Sequence, residues 1–172
     1  MKSKKRMIQI AVVCVAALVV GVLLYLFIPV KSQEQTTVPA VMFQKGTDNI
    51  EYTTLSINGE WSKKRVTGYS ESFKGEIQVD ALEYTKAADR WDISIDFVTD
   101  KEWSYILGGY ITYFDSRDKE EFGWLYTNEE HDIFTLDTGL VDSDEEYVVI
   151  APAETVEEAY AICDQLGLSY PN

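Results

Sequence analysis

Phe73-Lys74-Gly75-Glu76-Ile77-Gln78-Val79-Asp80-Ala81 decides the fold, because apolar or small residues fill every odd position and polar or charged ones every even position. Successive side chains of a strand point to opposite faces, so a period of two marks a strand with one buried and one wet face. The same alternation recurs where Trp91, Ile93, Ile95 and Phe97 interleave with Asp92, Ser94 and Asp96. Half-buried strands of this kind belong to antiparallel sheets.

Working outward, Ile50 to Ile57 is rich in Thr, Tyr and Ile, Asn58-Gly59 follows, and Glu60 to Thr67 resumes the pattern. An Asn-Gly step between two such runs predicts a hairpin. Downstream, Ser104 to Phe114 is apolar on both faces and reads as a central strand, with a bulge expected at Gly108-Gly109. Asp115 to Glu120 is a polar turn, Phe122 to Tyr126 a returning strand, and Thr127 to Glu130 a turn into Ile133 to Leu136. Tyr147 to Ile150 is one more short strand. Neighbours in sequence then pair in space, as a meander.

The end of the chain has a different rhythm. Thr155-Val156-Glu157-Glu158 is a capping box, Val156, Ala159, Tyr160, Cys163 and Leu166 share one helical face, and Gly167 closes the helix. The beginning differs again. Met7 to Ile28 holds no charged side chain, behind the basic cluster Lys2, Lys4, Lys5 and Arg6. Its length matches the hydrocarbon core of a bilayer, and the basic flank stays cytoplasmic. The run is too long for a cleavable signal and ends in bulky Tyr25-Leu26-Phe27-Ile28 rather than small residues.

The expected architecture is therefore mainly β. An antiparallel meander forms a sandwich or open barrel with one C-terminal helix packed on it, after an N-terminal transmembrane helix. The expected segments are a cytoplasmic tail (1–6), a membrane anchor (7–28), a tether (29–49) and an extracytoplasmic domain (50–172).

Charge and cysteines narrow the setting. Five of the 15 basic residues lie at or before Lys31 and none of the 29 acidic ones does, which leaves ten against 29 from Ser32 onward, a net −19. Such a domain repels nucleic acid and anionic headgroups, so no nucleic-acid partner is expected. Cys14 in the span and Cys163 near the far end cannot meet, so the outer domain relies on its core alone. An extracytoplasmic domain without disulfides suggests a bacterial cell envelope.

The residues offer little chemistry. His131 is the only histidine, so no two-histidine metal site exists, and it reads as a turn residue without a role. There is no G-x-S-x-G elbow and no glycine-rich phosphate loop. Ser116-Arg117-Asp118-Lys119 has the S-x-x-K spacing but falls in a hairpin turn instead of opening a helix. Asp142-Ser143-Asp144-Glu145-Glu146 starts like a calcium loop, yet Tyr147 stands at the sixth place and Ala153 at the twelfth. Cys163 lies on the apolar helix face and reads as a small buried hydrophobe. No catalytic residue, metal or cofactor is expected.

Aromatic residues are the remaining signal. Trp61, beside Lys63 and Arg65, and Trp103, after Asp100-Lys101-Glu102, are the two tryptophans placed for exposure and for stacking on a ligand. The expected function is a non-catalytic binding or adaptor domain on the outer membrane face, meeting an envelope protein or a wall-derived ligand. Gly59-Glu60-Trp61 is similar to the G-x-W of lipocalin-like barrels, which implies an alternative, a small barrel holding an apolar ligand. A pair of carboxylates hydrolysing wall glycan is a further alternative.

Overall fold

Alternation becomes eight strands: β1 (Val30–Gln44), β2 (Ile50–Lys63), β3 (Ser70–Val79), β4 (Ile93–Thr99), β5 (Leu107–Phe114), β6 (Lys119–Thr127), β7 (Phe134–Asp137) and β8 (Tyr147–Ala151). The computed structural model describes residues 2–64, 70–86, 93–99, 107–114, 119–139 and 145–169. Each strand pairs antiparallel with the next, and β8 returns to β1, closing the meander into a barrel. The closure is short. It runs from Val41 opposite Ile150 to Gln44 opposite Tyr147, with Ala153 N–H donating to the Pro39 carbonyl at 2.9 Å. Below Pro39, β1 pairs with β2 alone among the described residues.

The period of two sorts side chains into two cores. Leu55, Ile57 and Trp61 of β2, Phe73, Ile77 and Val79 of β3, Ile95, Ile111, Leu125, Phe134 and Leu136 meet inside the barrel. Val41, Phe43, Val148 and Ile150 face outward, where helix α2 (Val156–Leu166) covers them with Ala159, Ile162, Cys163 and Leu166. Burying one large apolar side chain contributes about 1.5–3 kcal/mol, so two such layers hold the domain without a disulfide. Thr155 caps α2 as its sequence predicts, and Glu158 reaches one residue further back than the box requires. Thr155 Oγ1 accepts from Glu158 N–H at 3.2 Å, while Glu158 reaches back to Glu154 N–H at 2.7 Å. Gly167 ends the helix in the left-handed region.

Helix α1 (Lys2–Phe27) contains the apolar stretch Gln9–Phe27, of mean hydropathy 3.0, long enough to cross a membrane. Only Ile28 and Pro29 separate it from β1. Residues 30–44, expected within a tether, are thus the longest strand. The alternation there is disguised because Ser32, Glu34 and Thr36 are polar at positions that share the face of Val38, Ala40 and Met42. Pro39 suggests a break, yet its missing N–H lies on the side away from β2 and costs no β1–β2 hydrogen bond.

Asn58-Gly59 is a second correction, since it lies inside the continuous β2 rather than in a hairpin. Gly59 stands opposite Gly75 of β3, and the two backbones close to where a side chain would not fit. The irregularity expected at Gly108-Gly109 falls instead between Ile111 and Thr112, whose partners are Gly123 and Glu121, so Phe122 is the extra residue on β6. Trp91, residues 115–118 and the acidic run 142–144 lie outside the described residues.

Candidate functional site at the first-strand end of the barrel

Inward positions continue past the apolar core. On β2 the odd-numbered series Leu55, Ile57, Gly59, Trp61 ends in Lys63, and on β3 Glu71 precedes Phe73 on the same face. Lys63 is directly opposite Glu71 and, on its other side, opposite Val30 at the start of β1. This end of the barrel therefore carries charge where the middle carries hydrocarbon.

Glu71 is 2% exposed. A buried carboxylate is costly unless paired and hydrogen-bonded, and two groups supply that. Lys63 Nζ forms an ion pair with one oxygen, and His131 Nε2 lies 2.9 Å from the other. His131 also stacks on Trp61, with ring centroids 3.8 Å apart and planes 5° from parallel. Trp61 packs in turn on Phe73 at 5.0 Å and donates Nε1–H to Glu34 at 2.7 Å. Six residues from three strands and one turn thus form a single connected cluster.

The turn that delivers His131 is built for it. Asn128 Oδ1 accepts from the N–H groups of Asp132 and Ile133 at 3.1 and 3.4 Å, and Asn128 Nδ2 donates to Asp132 Oδ1 at 2.6 Å. His131 N–H donates to the Asn128 carbonyl. His131 itself has φ 57°, the left-handed region that side-chain-bearing residues seldom occupy. Backbone strain of this kind persists where surrounding structure holds it and gathers at functional sites.

The cluster is part buried and part open. The Glu71 side chain is 3% exposed, that of His131 16% and that of Lys63 49%, so access is along Lys63. Trp61, expected as an exposed ligand platform, is 3% exposed and fills the barrel end beneath His131. Its neighbour Lys63 suggested a wet strand face, but both side chains point inward. Trp103 lies outside the described residues. His131, expected to have no role, is the centre of the arrangement, Lys63 joins it from an inward position instead of a wet face, and nothing in the sequence analysis marks Glu71 or Glu34. The available signal was a lysine and a glutamate at inward positions of two alternating strands, a local rule broken at two facing points.

Elsewhere, an open groove of about 360 Å³ on the outer wall is lined by Glu51, Tyr52, Thr53, Thr54, Asp80 and Ala81. At the opposite end of the barrel, burial lowers the Lys45 ammonium but Asp137, at 2.8 Å, and Glu146, at 3.3 Å, outweigh it and hold the group above the ordinary lysine range. These ion pairs tie the end of β1 to β7 and the approach to β8. Cys163 is 1% exposed, and burial, with Asp164 beside it, pushes its thiol up to about 11, which leaves little thiolate at neutral pH. No group of three or more metal-ligating side chains occurs among the described residues. No known protein family, curated protein or solved structure matches the chain.

Proposed function

We propose that this chain is a single-pass membrane protein of a bacterial envelope whose barrel is a non-catalytic binding or adaptor domain held outside the cell. The basic residues before α1 favour a cytoplasmic N-terminus and an outer barrel. The observation that carries the binding role is the His131–Trp61–Glu71–Lys63 cluster. It joins a strained backbone, a stacked aromatic pair and a buried carboxylate with a partly exposed cation at one accessible end of the barrel. Rigid aromatic area beside oriented charge is the chemistry of recognition surfaces.

The interior argues for this reading over the apolar-ligand alternative, because Phe73, Phe134, Leu55, Ile57, Ile95, Ile111, Leu125 and Leu136 occupy the barrel axis. Glu34 and Glu71 are each engaged by a donor, which disfavours their service as a hydrolytic pair. The partner is an envelope protein or a wall-derived ligand. In-cell crosslinking of the full chain, with mass spectrometry, tests this. One reproducible envelope partner, lost on His131→Gly while the protein stays folded and abundant, is the expected result. Capture that is unchanged by His131→Gly, or no capture at all, contradicts it.

A further inference from the structure

The join between α1 and β1 fixes more than attachment. Phe27 ends the helix and Val30 starts the strand, so three Cα–Cα steps separate them, a path of about 11 Å at most. Val30 is the ladder partner of Lys63, and antiparallel partners lie about 5 Å apart. Whatever angle the helix makes with the strand, the Lys63 backbone stays within about 16 Å of the helix end. β2 runs towards that end as β1 runs away from it, so Lys64 lies beyond the first residue of β1 on the helix side. The polar headgroup layer extends about 5–8 Å beyond the hydrocarbon on each face, and a lysine stem spans the remaining gap.

We infer that the barrel stands end-on against the bilayer, with Lys64 among phospholipid headgroup phosphates and the Lys63–Glu71–His131–Trp61 cluster opening at the membrane surface. The inference rests on α1 being the membrane anchor. Two further observations fit it. Ile28 and Val30 are 57% and 44% exposed and continue the apolar surface of α1 into the first strand. Lys64 is exposed and forms no ion pair among the described residues, whereas Lys31 is held by Glu60 at 2.7 Å and Lys63 by Glu71. An ammonium at headgroup depth finds its counter-charge in lipid phosphate.

Net attraction is not the cause. The domain is strongly acidic, and Glu129, Glu130 and Asp132 share the turn of His131. On a long tether these charges would hold the barrel off an anionic surface, but a two-residue link leaves no such freedom. The contact is set by covalent connectivity and strand register, so it persists in zwitterionic lipid. It also makes the lipid surface part of the environment in which any partner meets the cluster.

The test uses the full chain with Cys14→Ser in phosphatidylcholine nanodiscs, spin-labelled at Lys64→Cys or, at the opposite end of the barrel, at Asp48→Cys. Cys163 is buried and stays unlabelled. Nickel held on a chelating headgroup lipid should relax the label at position 64 several-fold more than the label at 48. A flexible Gly-Ser insertion between Pro29 and Val30 should abolish that difference while the protein remains in the disc. Equal relaxation at both positions, or a difference indifferent to the insertion, overturns the inference. Protein that elutes free of the discs overturns the anchor itself, and the two failures are told apart by that elution.

Discussion

Gly75→Ala destabilises the barrel by about 3 kcal/mol or more. Gly75 and Gly59 face each other across β2 and β3, and a Cβ built on Gly75 would lie 2.5 Å from the Gly59 Cα and 2.9 Å from Cζ of Phe73. On Gly59 it would meet the same Cζ at 2.6 Å and the Gly75 Cα at 2.8 Å. Neither glycine has a positive φ, so close approach, not conformational freedom, is what requires them. The Phe73 ring lies over the pair and fills the space that two side chains would otherwise occupy. Overpacking a filled core costs about 1–3 kcal/mol, and more where, as here, backbone must move. A loss of about 3 kcal/mol or more is a large part of the roughly 5–15 kcal/mol that a domain possesses. Gly46→Ala is the control. Its φ of 71° carries a backbone penalty, but nothing lies within 4 Å, so about 1 kcal/mol is expected. Urea titration of both variants in the full chain decides the matter. A Gly75→Ala cost no larger than that of Gly46→Ala contradicts the pinch.

The second large effect is at Glu71. Glu71→Ala removes the acceptor shared by Lys63 and His131 and leaves a void beneath the Trp61–His131 stack. Breaking a buried ion pair costs about 3–5 kcal/mol, but Lys63 is half exposed and regains water, so about 2–3 kcal/mol is expected. Glu71→Gln keeps the shape and a hydrogen-bonding oxygen and should cost about half as much. His131 separates backbone from ring. His131→Gly loses the stack but relieves φ 57°, whereas His131→Ala loses the stack and keeps the strain, so the glycine variant should be the more stable by about 1 kcal/mol. A double-mutant cycle on Glu71 and His131 should show coupling, because the two side chains share a hydrogen bond. Additive losses would mean that the cluster is an accident of packing.

Much of the fold was legible because the alternation of Phe73 to Ala81 and the box at Thr155–Glu158 are local facts that tertiary structure did not override. The misreadings share a cause. β1 was hidden because half of its inward residues line a polar barrel end, so the hydrophobic period was missing where the strand was real. Asn58-Gly59 resembled a turn because the glycine needed for a close approach is the same residue that turns use. The candidate site was illegible for a different reason. Glu71 and His131 are sixty residues apart, and no local pattern shows that a turn histidine reaches across to a β3 carboxylate. Register alone brings them together, and only the placement of the charged residues at inward positions hinted at it.

The open end of the barrel exists only if β1 is a strand rather than a tether, and amide exchange in the full chain in lipid measures that directly. The Pro39 carbonyl accepts from Ala153 and Lys45 N–H donates to Glu146, so odd-numbered β1 residues present their backbone groups away from β2. Gln44 N–H donates to Asn49, which puts the even-numbered groups on the β2 side. Residue-resolved exchange should therefore alternate, slow at Ser32, Glu34, Thr36 and Val38 and fast at Lys31, Gln33, Gln35 and Thr37. Uniformly fast exchange from Lys31 to Val38 would restore the tether and contradict both the extended β1–β2 hairpin and the seat of the barrel on the membrane.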